Sequence, residues 1–206
     1  GTYRISKSGW MRTSEERDIK LGANSFMKIY VDKNSTETIY LKLHNRIDSP
    51  VSLDVNIRKE KSFQTKLLFE IFTNGLFQGF LWMLLIAGIF NYINLRDKTN
   101  LFYIIFMFLF SIYFLNHYKF LEVFFNDTSS FGVFIYWLLI PALTVYLHFS
   151  RIFLEVKKNM PKLDRIVHKT IFIGVLVSVI SLIFLFFSFK AYIEIMKYFT
   201  VFYCIV

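Results

Sequence analysis

Ile71-Phe72-Thr73-Asn74-Gly75-Leu76-Phe77-Gln78-Gly79-Phe80-Leu81-Trp82-Met83-Leu84-Leu85-Ile86-Ala87-Gly88-Ile89-Phe90-Asn91-Tyr92-Ile93-Asn94-Leu95 holds no charged side chain. A run of that length and apolarity matches the roughly 30 Å hydrocarbon core of a bilayer, which about 20 helical residues cross. It does not stand alone. Further apolar runs follow after short polar breaks, and the expected spans are 71–95, 101–116, 131–150, 166–189 and 191–206. The chain is read as an α-helical membrane protein.

The composition agrees, since 55% of the 206 residues are hydrophobic, 20% are aromatic and 26 are Phe. Such an apolar load excludes a disordered arm, and its collection into long runs argues against a soluble domain. The net charge of +9 would suggest a nucleic-acid partner in a soluble protein. Here the Lys and Arg residues fall beside apolar spans and in the N-terminal third, so membrane topology and lipid headgroups account for them and nucleic acid is not expected. The single cysteine, Cys204, lies in an apolar run, which leaves no disulfide framework and no thiolate metal site. The chain opens on Gly1-Thr2-Tyr3 and stops within an apolar run at Val206, so an internal fragment is expected.

Residues 1–62 read differently. Phe26–Val31, Thr38–His44 and Val51–Ile57 alternate apolar and polar side chains as half-buried strands do. Asp32–Thr36 and Asn45–Pro50 supply turn residues between them. Three or four such strands cannot close a core alone, so the expectation is the C-terminal part of a larger extracellular β-sandwich, with the transmembrane helical domain occupying 63–206 and truncated at about the fifth helix.

Orientation is read from the loops. Segments 96–100 and 151–169 carry Arg96, Lys98, Arg151, Lys157, Lys158, Lys162, Arg165 and Lys169, against Lys119, Lys190 and Lys197 in the alternate loops. The first set is assigned to the cytoplasm and residues 1–66 to the outside. Arg58, Lys59, Lys61 and Lys66 run against that rule, but an exported domain translocates largely regardless of local charge.

Within the spans, Glu70, Asn74 and Gln78 recur every fourth residue and form one polar stripe, while Gly75 and Gly79 make a G-x-x-x-G pair beside it. Small residues let backbones approach, and polar side chains favour a helix partner over lipid. The two readings are a signal-transmitting face and an ordinary static contact. Pro141 invites a kink in the third span, either a hinge or a fixed shape. His117 and His148 fall near opposite membrane surfaces and cannot share a metal. Asn116-His117 with Glu122 is a poor match to an acyltransferase motif, because Glu replaces Asp and no second motif follows. No catalytic, cofactor-binding or metal-ligating set is identified. Tyr92, Tyr103, Tyr113, Tyr118, Tyr136 and Trp137 are expected in interfacial belts.

The stretch Gly75-x3-Gly79, then Asn91-Tyr92-x2-Leu95-Arg96-Asp97-Lys98-x2-Leu101-x-Tyr103, then Met160-Pro161-x-Leu163-Asp164-Arg165, resembles the bacterial seven-transmembrane receptors with diverse intracellular signalling modules. The strands at 39–43 and 51–55 resemble the end of that family's carbohydrate-binding-like extracellular jelly roll. The resemblance implies a bacterial inner-membrane receptor with seven helices, an external ligand of which carbohydrate is one candidate, and a signalling domain in cis on the cytoplasmic side. It carries over no catalytic residue, and adds Asn91 to the coupling candidates. Membrane lipid and a second copy of the chain complete the expected partners. The rival reading, a transporter or integral membrane enzyme with an accessory β-domain, would require ionisable groups deep within the spans, and almost none are present.

Overall fold

The computed structural model of the chain describes residues 5–8, 19, 26–31, 33–36, 38–42, 56–118, 120, 121 and 134–205. Six helices organise it: α1 (Glu60–Leu95), α2 (Lys98–His117), α3 (Leu139–Phe153), α4 (Val156–Asn159), α5 (Pro161–Phe187) and α6 (Phe189–Ile205). A further helical turn at 134–137 leads into α3, and Phe134–Phe153 together are long enough to span. Four helical segments, α1, α2, Phe134–Phe153 and α5, have the length and apolarity to cross a membrane. The expected fifth span is the 17-residue α6, somewhat short of the roughly 20 residues a crossing takes.

The expected strands correct differently. Residues 26–31 and 38–42 carry no regular secondary structure, and no strand is present among the described residues. A strand's backbone groups are satisfied only by a neighbouring strand, and three short strands are marginal without a fuller sheet. Within the turn read at 32–36, residues 33 and 34 do form a turn, with Asn34 in the left-handed region at φ 64°. The remainder of the second and third expected strands, 43–44 and 51–55, lies outside the described residues.

The helices pack in sequence order, α1 on α2, α2 on α3, α3 on α5 and α5 on α6. What they bury is inverted relative to a water-soluble domain. Gln78, Ser111, Asn116, Thr144, Thr170, Ser178 and Ser181 are buried, whereas Phe72, Phe80, Ile86, Phe172 and Phe186 are exposed. Lipid provides no hydrophobic drive between helices, so small and polar side chains join apolar ones such as Leu81, Leu85, Ile135 and Ile140 at the contacts, while many large apolar side chains face outward. The buried hydroxyls of Thr144, Thr170 and Ser178 donate to carbonyls one turn back on their own helices, at 2.9, 3.1 and 2.8 Å. That satisfies them without a partner helix.

Candidate functional site

α1 is unbroken for 36 residues, about 54 Å, and therefore extends well beyond a bilayer core. Its first turns lack Gly and Pro, and they are tied by Phe63 N–H donating to Lys59 O at 3.0 Å and by Thr65 Oγ1 donating to Lys61 O at 3.0 Å. The N-terminal segment touches this start. Phe26 meets Phe63 edge to face at 4.7 Å, and Lys28 Nζ pairs with Glu60 Oε1 at 3.0 Å. The Glu60 carboxylate, and then Tyr30, hold the Lys28 ammonium above the usual lysine range. A raised lysine pKa keeps that contact intact through neutral pH, and it weakens only as pH climbs past the ordinary lysine range.

Farther along, one face of α1 meets α2. Its buried residues are Gln78, Leu81, Leu85 and Gly88, in a 3-4-3 spacing that keeps one side of the helix toward its neighbour. The Gln78 carboxamide donates to Ser111 Oγ at 2.5 Å, while its Oε1 has no hydrogen-bond partner among the described residues. Phe77 meets Phe114 edge to face at 5.1 Å. At Gly88 the helices are in tight contact, because a Cβ there would lie 2.9 Å from the Tyr103 ring and 3.3 Å from Ile104 Cγ1.

This divides the seven coupling candidates. Gln78 is buried against α2. Gly75 and Gly79 are not packing residues within the described chain: both are exposed, and an added Cβ would meet nothing within 4 Å. They lie with Phe72, Leu76, Phe80 and Met83 on the side of α1 opposite the α2 contact. The polar stripe also fades toward its N-terminal end, where Asn74 is half-buried and Glu70 forms a 3.6 Å pair with Lys66 on its own helix. Gly88, not singled out from the sequence, makes the close approach assigned to Gly79. The signal was available in its register, three and seven residues beyond Leu85 and Leu81.

Asn91 is exposed, and the turn after α1 is built from its neighbours. Arg96 adopts a left-handed conformation at φ 50° and donates its N–H to Tyr92 O at 2.8 Å, closing α1. Asp97 then caps α2, accepting from Thr99 N–H at 3.1 Å and Thr99 Oγ1 at 3.2 Å. The Leu-Arg-Asp sequence is thus a helix stop followed by a helix start.

α2, α3 and α5 are joined more tightly. Phe102 meets His148 at 4.4 Å, Phe106 meets Tyr146 at 5.0 Å and Tyr113 meets Tyr136 at 5.7 Å, an aromatic seam that runs antiparallel along the whole α2–α3 contact. Tyr103, Tyr113 and Tyr136, expected at the membrane surface, are therefore used in packing. Trp137 Nε1 donates to Ser178 O at 2.8 Å and to Ser181 Oγ at 3.1 Å, fastening α5 to the turn before α3. Pro141 sits in the first turn of α3 and near the middle of the Phe134–Phe153 segment; it supplies no N–H to the carbonyl of Trp137, and the helix breaks at Leu138 accordingly.

At the other end of the seam, Arg151 Nε and Nη2 grip both oxygens of Asp164, at 2.6 and 3.0 Å, with side chains 19% and 13% exposed. Arg151 Nη1 also lies 3.4 Å from His168 Nδ1. The bidentate pair locks the loop between α3 and α5. Asp164→Asn should lower stability more than loss of an exposed helix-surface pair does, because it takes the bidentate carboxylate away from Arg151. Breaking the exposed Lys66–Glu70 pair by Lys66→Ala should cost about 0–1 kcal/mol. Thermal unfolding of the two variants in the same detergent checks this, and equal midpoints would show that the Arg151–Asp164 pair contributes nothing.

Together these features define a class, a polytopic helical membrane protein with a polar, uncharged interior. Residues 70–206 match the family described as 7TM diverse intracellular signalling, and the chain belongs to that family. No curated protein and no solved structure matches the chain.

Proposed function

We propose that the chain is the membrane-proximal sensory part of a bacterial inner-membrane receptor. An external N-terminal domain, 1–62, captures a ligand; its movement enters the transmembrane domain, 63–206, through the start of α1 and reaches a cytoplasmic signalling module in cis. The 7TM signalling family supports this reading. The observation that carries it is the continuity of α1 from Glu60, where Phe26 and Lys28 touch it, through the span to Leu95. A stiff helix passes on a displacement that a flexible linker would absorb. The ligand must bind one bundle state more tightly than the other for anything to be transmitted. The coupling residues in this reading are Gln78, Gly88 and the helical start at 60–70, with no catalytic role for any of them. Intramembrane carboxylates or lysines of the kind a transporter uses are absent from the buried set of described residues.

The helix pairing places the Arg96–Asp97 turn and the loop between α3 and α5 at one end of the bundle, since Gly88 and Phe149 both flank Tyr103. In this reading that end is cytoplasmic and residue 60 is outside, as the loop cations favour. Cysteines at Thr36 and at Lys158, each in a Cys204→Ser background, test it with a membrane-impermeant thiol reagent on cells whose inner membrane is intact. Labelling at position 36 alone is expected; labelling at 158 alone would invert the topology.

A further inference from the structure

We infer that the loop between α3 and α5, with the first two turns of α5, binds the headgroups of anionic phospholipids. Segment 151–169 holds six Lys and Arg residues against two carboxylates. Asp164 is committed to Arg151, and Glu155 lies 3.5 Å from Lys158, both being exposed. That leaves Lys157, Lys162, Arg165 and Lys169 exposed with no ion pair among the described residues. Lys162, Arg165 and Lys169 follow an i, i+3, i+7 spacing, so they stack on one side of α5 over about 10 Å.

Their position does not serve the helix. Lys162, in the first turn of α5, faces the positive end of the helix dipole, where an acidic residue would stabilise the helix and a basic one weakens it. An external anion would offset that cost. Beside the cations stand exposed Phe153, Leu154, Met160 and Ile166, which suit the boundary between headgroups and acyl chains. Apolar side chains beside uncompensated cations fit a lipid, which has both a phosphate and a tail, better than free phosphate. The cytoplasmic address of this surface rests on the topology proposed above, but the binding itself does not depend on which leaflet it faces.

The test titrates phosphatidylglycerol, and separately phosphatidylcholine, into the full-length protein in a neutral detergent, with affinity read by native mass spectrometry. Wild type should prefer phosphatidylglycerol, and the preference should fall with rising salt. Each lost cation should weaken it about fivefold, so Lys162→Gln, Arg165→Gln and Lys169→Gln combined should reduce it roughly 100-fold. Lys157→Gln with Lys158→Gln, farther from the start of the α5 span, should cost roughly 25-fold and serves if the triple variant does not fold. Equal affinity for the two lipids, an unchanged affinity in the variants, or displacement of the lipid by millimolar inorganic phosphate would each overturn the inference. Thiol labelling with inverted topology would overturn the receptor orientation while leaving this result standing.

Discussion

Replacing Gln64 and Thr65 by glycines is expected to leave ligand binding to the external domain unchanged and to flatten output against ligand concentration. Both residues lie in the first turns of α1, where Gln64 reaches the Glu60 carboxylate at 3.5 Å and Thr65 the Lys61 carbonyl at 3.0 Å. Each glycine weakens the helix by up to about 1 kcal/mol and frees the backbone at a point flanked by water. Allosteric coupling is typically about 1–3 kcal/mol, so two such substitutions are large enough to erase it. Output of the full-length receptor, measured over a ligand titration, decides the matter. An unchanged response curve would mean that the signal bypasses α1.

A second large effect is expected at Gly88. Even a methyl group there would have to move the Tyr103 ring, and Gly88→Leu places a branched side chain where the two helices touch. Overpacking at such a contact costs about 1–3 kcal/mol, and the Gln78–Ser111 hydrogen bond, on the same face of α1 and closer to its N-terminus, should be lost as α1 tilts off α2. Gly79→Leu is the control, since its side chain would project into open space on the opposite side of α1. Thermal stability of the two variants in one detergent should separate them, Gly88→Leu falling and Gly79→Leu holding. Equal losses would mean that the face around Gly79 is occupied in the full-length protein and that the α2 side is not the critical one.

The contrast between the two glycines shows what the sequence could convey. Span positions were legible because long uncharged runs have few physical alternatives, and the expected boundaries differ from the helices by a few residues at most ends. The continuation of α1 ahead of the span fits the absence of Gly and Pro at 60–70. Which side of α1 faces a neighbour was not, because lipid and helix contacts both accept apolar and small side chains, and the apolar residues of α1 surround it on all sides. Gly75–Gly79 offered the familiar spacing, but the register of Gln78, Leu81, Leu85 and Gly88 chose the face. Nor could the sequence show that Tyr103, Tyr113 and Tyr136 pair across helices, since an aromatic near a span end suits an interfacial belt equally well. Arg151 and Asp164 stand 13 residues apart, and only the reversal of the chain between α3 and α5 brings them together.

The tight contact at Gly88 also sets the gearing of α1. Gly88 lies 28 residues from Glu60 and 7 from Leu95, arms of about 42 and 10 Å. If α1 pivots there, sideways motion at the Glu60 end arrives at the Leu95 end about fourfold smaller and reversed in direction, with the force correspondingly larger. Sliding along the axis or turning about it suffers no such reduction. In the proposed receptor such a lever would filter out lateral jostling at the start of α1 and pass on thrust and torque.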